Sequence, residues 1–445
     1  MEHSKSFFRA VGALAVPAAL QSLLQSSFSI VDQIMIGQLG SVSVAGVGIA
    51  GKFTSMFSVL ASAVGAVAGI MISQYLGSKN QREIRRSFFG NLLLCLALAG
   101  VFTAVCLGLP KQIMGLYIPD GATVAAAAGY LIIVAGTFLP IAGSILLGTL
   151  LRCMEKASLP LYASIAAALL NTGLNYALIF GKLGFPAMGA NGAAVATLVS
   201  QTANFLIMLL LFLPYRNCLA ACPAAPRASF NYRQYVRMLL PILVCELMWS
   251  LGENVYAAIY GHLGTAASAA MTLINPIVGL TIGALCGLSQ AAGVLIGKRL
   301  GEGAFDDAYR ESKKLILMGF AGAVGLGLLV AAFRGVYVEI YQVEPAVKAL
   351  TGQILVAYAL VVPFKVMNMI LGGGIIRSGG QTQYSMAIDL IGTWGFGVPL
   401  GLLAGFVLKL SIPYVYFILS LEECVRFAIS LVIFRKRLWM RRLSA

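Results

Sequence analysis

Carboxylates inside long apolar runs are costly, and a chain seldom keeps them without a use. Here they are Asp32, Glu246, Glu253, Asp389, Glu422 and Glu423, with Lys365 as the clearest buried cation. Asp32 has the most telling neighbours. Gln21, Gln25, Ser29 and Asp32 step by 4, 4 and 3, so they share one helical face. Asn171 and Asn175 lie one turn apart in a later apolar run, and Thr197 stands a few residues into the next. Counted from the loops, Asp32, Asn171, Asn175 and Thr197 are expected at similar depth. One carboxylate among amide and hydroxyl oxygens suits a hard monovalent cation such as sodium. The same carboxylate could carry a proton instead. The plainer reading is that Asn171, Asn175 and Thr197 only tie helices together by hydrogen bonds. For Asp32 that reading is weaker, because a buried charge is expensive.

A second set of polar residues falls later in the chain. Glu246 and Glu253 are seven apart and share a helical face. Asp389 and Lys365 are expected to form a buried ion pair between neighbouring helices, a structural role as defensible as a functional one. Glu422 and Glu423 face different ways, with Arg426 one turn on as partner for at least one of them. Gln21, Gln25, Glu246, Glu253, Lys365 and Asp389 are therefore the candidates for a substrate-binding or second polar site.

The elements that must position these groups are membrane helices. Of the 445 residues, 59% are hydrophobic and 11% charged, against roughly 25% charged in a soluble domain. Mean hydropathy is +0.89. Apolar runs long enough to span a bilayer are centred near residues 24, 58, 99, 138, 170, 202, 250, 283, 323, 362, 395 and 423, twelve in all. With the first residues in the cytoplasm, the inner loops hold 23 Lys and Arg and the outer loops hold 5. That is the asymmetry the positive-inside rule requires. The net charge of +15 is thus a topology signal. No clustered basic face suggests a nucleic-acid partner.

The chain is also written twice. A shift of 224 carries Pro17 onto Pro241, Gly37 onto Gly261, Leu76-Gly77 onto Leu300-Gly301 and Arg86 onto Arg310. Six helices per repeat give both halves the same orientation, related by an axis along the membrane normal. The expected fold is an all-α polytopic membrane protein of twelve transmembrane helices in two six-helix bundles, with pseudo-twofold symmetry. Residues 1–213 form one bundle and 235–445 the other, with a proline-bearing cytoplasmic linker at 214–234 between them. The repeat is not chemically even, since Glu246 and Glu253 fall on Ser22 and Ser29, while Asp32 falls on Tyr256.

Several other signals are set aside. Gly46, Gly48 and Gly51 match a dinucleotide fingerprint, but no strand precedes them. The first apolar run is too long for a signal peptide. The eight cysteines, among them Cys218 and Cys222, are scattered and read as free thiols without a role. The chain has two histidines, His3 and His262, and shows no Ser–His pairing or phosphate loop, so an enzyme is not expected. No cofactor is expected beyond a coupling sodium ion or proton.

The pattern resembles the multidrug and toxic compound extrusion (MATE) family. The likeness rests on Val31 to Gly37, Gln74 to Lys79, Gly189 to Ala194, Trp249 to Gly264 and Asp389 to Pro399, and it covers essentially the whole chain. The resemblance implies two six-helix bundles around a V-shaped cavity. It also implies export of cationic amphipathic compounds driven by inward sodium or proton flow. Asp32 occupies the place of the family's helix-1 coupling aspartate, and Asn171, Asn175 and Thr197 match its first-bundle cation site. Some members carry an aspartate where this chain has Asn175, so one charge is missing here. Either Glu246 or Glu253 takes the place of a common helix-7 glutamate. The expected function is therefore a cation-coupled drug antiporter of the plasma membrane, monomeric, with both termini in the cytoplasm. The alternative is a flippase for lipid-linked oligosaccharide or peptidoglycan precursors. It would need a more cationic cavity than Lys365 supplies. A channel fits less well than alternating access, given duplicated halves with buried carboxylates.

Overall fold

The computed structural model describes residues 2–117, 120–182, 184–219, 232–341 and 343–443. Among them are helices and no strand. The long helices are α1 (Glu2–Gly37), α2 (Ser41–Gly77), α3 (Gln81–Gly108), α4 (Gly121–Cys153), α5 (Ser158–Phe180) and α6 (Ala190–Phe212). The second half continues with α7 (Tyr232–His262), α8 (Thr265–Glu302), α9 (Phe305–Glu339), α10 (Pro345–Ile376) and α11 (Thr382–Val407). These eleven are long and apolar enough to cross a membrane. The twelfth, α12, comes in two pieces, Ile412–Ser420 and Glu422–Arg435, joined at Leu421. The break falls where Glu422, Glu423 and Arg426 enter, so α12 alone lacks an uninterrupted apolar span. Of the expected linker, 214–219 belong to the short helix Leu213–Leu219. Residues 220–231, with Cys222, Pro223 and Pro226, lie outside the described residues.

Local chemistry sets the helix ends. Asn80 caps α3 by accepting from the Glu83 amide at 3.3 Å. Asp120 caps α4, accepting from the Thr123 amide at 2.9 Å and its hydroxyl at 2.6 Å. These bonds, the hydroxyl's first, hold the Asp120 carboxyl below the ordinary aspartate range. Gly264 (φ +114°) makes the tight turn between α7 and α8, a backbone geometry that side chains oppose.

The chain divides into two compact units. The first comprises Leu20–Ile72 and Lys79–Phe230; the second comprises Met1–Ala19, Ser73–Ser78 and Asn231–Ala445. Residues 1–19 and 73–78 thus pack with the second half rather than the first. Inside the first unit, Phe57, Phe102 and Phe138 of α2, α3 and α4 form an aromatic knot, with ring centroids 4.6 to 6.0 Å apart. Gly192 sits so close to α5 that a methyl there would lie 2.6 Å from the Leu178 carbonyl oxygen. Inside the second unit, a methyl on Gly327 of α9 would lie 2.8 Å from the Ala359 carbonyl oxygen of α10. In lipid, apolar burial gives helices little reason to pair, so such close fit carries the association. Leu93, Leu317 and Leu328 remain on the outside, as a lipid-facing surface requires.

Candidate functional site

In the first unit, α1 and α5 bring Asp32, Asn171 and Asn175 together. The Asn175 amide nitrogen donates to Asp32 Oδ1 at 2.6 Å and lies 3.2 Å from the Asn171 amide. Asn171 and Asn175 are buried, 9% and 1% exposed. One terminal atom of the Asn171 amide lies 3.0 Å from Asp32 Oδ1 and 3.2 Å from Oδ2, while the other lies 3.3 Å from Ser200 Oγ. With Asp32 bare, the amide nitrogen belongs against the carboxylate, as a donor. The Asn171 oxygen then faces the Ser200 hydroxyl. The Asn175 carbonyl oxygen is buried and has no partner among the described residues. No Lys, Arg or His forms an ion pair with Asp32 there either.

Thr197 does not join through its hydroxyl, which donates to the Ala193 carbonyl at 2.9 Å. Ser200, three residues further along α6, meets Asn171 in its place, and its hydroxyl also bonds the Thr197 carbonyl at 3.0 Å. Ser200 was legible only as one of several hydroxyls on α6. Of the α1 stripe, Gln21 donates to Ser164 of α5 at 2.8 Å, which ties α1 to α5. Gln25 and Ser29 are exposed.

The second unit holds a larger ionic network. Arg426 donates to Asp389 Oδ1 at 2.7 Å and lies 3.7 Å from Glu423. Arg377 lies 3.7 Å from Glu246 and 3.9 Å from Asp389. The expected Asp389–Lys365 pair is therefore corrected, since Asp389 takes two arginines. The reason is steric. A methyl on Gly392 would overlap the Arg426 side chain, so only glycine lets that chain cross α11 to reach Asp389 one turn back. Lys365 makes no ion pair within 4 Å among the described residues, and the carboxylates it feels most are Glu423, Glu253 and Glu422. Asn368 donates at 2.8 Å to both the carboxylate and the carbonyl of Glu423. Tyr256 donates to Glu422 at 2.5 Å. Glu246 is half-buried against Arg377, while Glu253 is exposed.

Two residues in this network escaped the sequence reading. Cys245, expected to be an idle thiol, donates to Asp389 and accepts from Arg377 at 3.3 Å. Arg377, one of the 23 Lys and Arg assigned to the inner loops, is half-buried in the ion cluster. Around them α10 and α11 wind as π-helix over Met369–Ile376, Ile391–Gly397 and Leu403–Val407. Glycines at 374, 392 and 397 sit in these turns and admit close neighbours. Such wide turns are frequent at functional sites.

A duplicated, all-helical membrane protein, with an unpaired carboxylate in one unit and an ion network in the other, has the makings of a secondary transporter. The MatE family model matches residues 17–177 and again 241–403, the same 224-residue shift at its start, and the chain belongs to that family. It is 23% identical over 441 residues to the uncharacterized transporter YisQ of Bacillus subtilis, covering 97% of this chain and 94% of that one. It is 28% identical over 436 residues to the probable multidrug resistance protein NorM of Rhizobium meliloti, covering 91% of each. It is 26% identical over 417 residues to multidrug and toxin extrusion protein 2 of Mus musculus, covering 91% of this chain and 70% of that one. A crystal structure of MATE in the bent conformation superposes with a TM-score of 0.87 at 19% identity, covering 97% of this chain and 95% of that one. An outward-facing multidrug resistance MATE transporter gives 0.87 at 20% identity, covering 96% and 95%. The fold is thus that of the family.

Proposed function

We propose that the protein is a cation-coupled antiporter that exports cationic, amphipathic drugs and toxic compounds by alternating access. One observation carries this reading. Asp32 stands in an apolar helix with two asparagines and no countercharge among the described residues, whereas Asp389 and Glu423 of the second unit are matched to arginines. A carboxylate in that position gains most from a mobile positive charge. The multidrug names of the relatives support a drug-like cargo. They lend nothing to the flippase alternative.

Asp32, Asn171 and Asn175 form the coupling site in this reading, with Ser200 and Thr197 on α6 beside it. Sodium is favoured over a proton. A proton needs one carboxyl oxygen, whereas the buried, partnerless oxygen of Asn175 is a further ligand for a metal ion. The protein works as a monomer in the plasma membrane, and the Lys and Arg asymmetry supports placing both termini and the 214–234 linker in the cytoplasm.

The test is drug transport in proteoliposomes with sodium and proton gradients imposed separately. Export at fixed pH should rise with a sodium gradient. If sodium has no effect and collapse of the pH gradient stops export, Asp32 is a proton carrier. If neither gradient matters, the antiporter reading fails.

A further inference from the structure

The end of α2 is held to the second unit by contacts that serve no coupling site. Ser73–Ser78 belongs to the second unit, whereas the rest of α2 belongs to the first. Gly77 and Gly301 are the repeat pair at offset 224, and so are Gln74 and Lys298. A methyl on Gly77 would overlap the carbonyl of Lys298, and a methyl on Gly301 would overlap the carbonyl of Gln74. The ends of α2 and α8 therefore cross reciprocally, glycine against backbone, each half presenting the same two positions. Without side chains between them the two backbones touch directly. Alone, that crossing is only good packing.

The segment C-terminal to α12 adds a clamp. Gln74 is 1% exposed and its amide is fully engaged. Its nitrogen donates to the carbonyls of Ser378 at 2.7 Å and Arg441 at 3.2 Å. Its oxygen accepts from the Leu443 amide at 2.8 Å. Residues 439–443 are themselves pinned. Trp439 is fully buried and stacks on Phe434 at 5.9 Å, while its carbonyl lies against Gly379, where a methyl would overlap it. Arg437 bonds Asp306 at 2.9 Å and covers the Tyr309 ring at 4.5 Å. A buried glutamine with three backbone partners, two of them on an otherwise irregular segment, is more than a turn needs.

We infer that Lys436–Leu443 is a latch that holds the end of α2 against α8 and α10, and that its release at Gln74 is a step of the transport cycle. This rests on the alternating-access reading, in which α2 must part from α8 at this end when the protein opens there. Chemistry suits a reversible clamp. The bonds at Gln74 are neutral amide contacts, which break and reform without stranding a charge. The glycine crossing sets backbone against backbone, with only the short Ser73 side chain seated against Gly297 beside it.

The experiment is hydrogen exchange by mass spectrometry on the full chain in lipid nanodiscs, with drug transport measured in parallel. Gln74→Ala should speed exchange in peptides covering 438–443 by roughly tenfold, the loss expected from one or more buried hydrogen bonds. Trp439→Ala, remote from Gln74 in sequence, should speed exchange at 73–78, because loosening one side of a latch loosens the other. Trp439→Phe keeps an aromatic ring on Phe434 and should leave 73–78 protected, which separates latch release from misfolding. Both alanine variants should also change the transport rate. Faster exchange at 438–443 in Trp439→Ala with 73–78 unchanged would overturn the latch. Coupled exchange with an unaltered transport rate would show a clamp outside the cycle and overturn the functional part. If the chain transports nothing, the antiporter reading fails, while the exchange data still decide whether the clamp exists.

Discussion

Tyr256 donates a 2.5 Å hydrogen bond to Glu422, and Tyr256 is the residue that the internal repeat sets opposite Asp32. One ancestral position has therefore diverged into two solutions. In the first unit the repeat helix supplies the carboxylate itself, with asparagines as company. In the second it supplies a phenol, and the carboxylate arrives from α12. Gly397 of α11 makes room for both groups, since a methyl there would overlap each of them.

Tyr256→Phe removes only the hydroxyl and leaves Glu422 buried at 6% exposure without that donor. The expected cost is about 1–3 kcal/mol of stability, the penalty for an unsatisfied buried acceptor. Thermal melting of the purified variant reads it directly. An unchanged melting curve would mean that another donor or water takes over.

Asp32→Asn keeps the size of the side chain and removes the charge. Gradient-driven export should fall to background while expression and melting behaviour stay near those of the parent. Removing a half-buried charge should leave stability equal or slightly raised. A variant that still confers full drug resistance would make Asp32 a structural residue.

Asn175→Ala should weaken ion coupling more than Glu246→Ala. Asn175 touches Asp32 at 2.6 Å, whereas Glu246 is a loose partner of Arg377 at 3.7 Å. The readout is the sodium concentration giving half-maximal export. The reverse ranking would move the coupling site into the second unit.

Arg426→Met leaves Asp389 with the Cys245 thiol and the distant Arg377, and deprives Glu423 of its ion-pair partner. Breaking a buried pair from one side costs about 3–5 kcal/mol. The double variant Arg426→Met with Asp389→Asn should recover part of that loss. Equal melting temperatures for the single and double variants would show that the pair is not coupled.

Gly301→Ala forces a methyl into the Gln74 carbonyl and should destabilise by about 1–3 kcal/mol through overpacking. Gly279→Ala, also in α8, meets nothing within 4 Å and should stabilise by about 0.4–1 kcal/mol through the unfolded state. Melting the two side by side distinguishes a contact effect from a general preference for alanine in helices.

Hydropathy, loop charge and the 224-residue repeat were enough to identify the helices, because membrane insertion is written in local composition. Asp32 stood out for the same reason: a charge in an apolar run is visible without a fold. Asn171 and Asn175 emerged from one-turn spacing on a single helix. Partners across helices were not legible in this way. Ser200 rather than Thr197 meets Asn171 because α6 is rotated to present that face, and rotation about a helix axis depends on every neighbour it packs against. Arg426 rather than Lys365 reaches Asp389 because Gly392 opens a path over α11, and the π-turns there shift the register of the helical turns beyond them. The sequence by itself determined which segments are helices and which charges are too costly to be idle. Only the tertiary structure decided which of those charges are neutralised by arginine and which, like Asp32, have no cationic partner among the described residues. Pairing depends on ångström-scale separations between segments far apart in the chain, and local composition does not encode those distances.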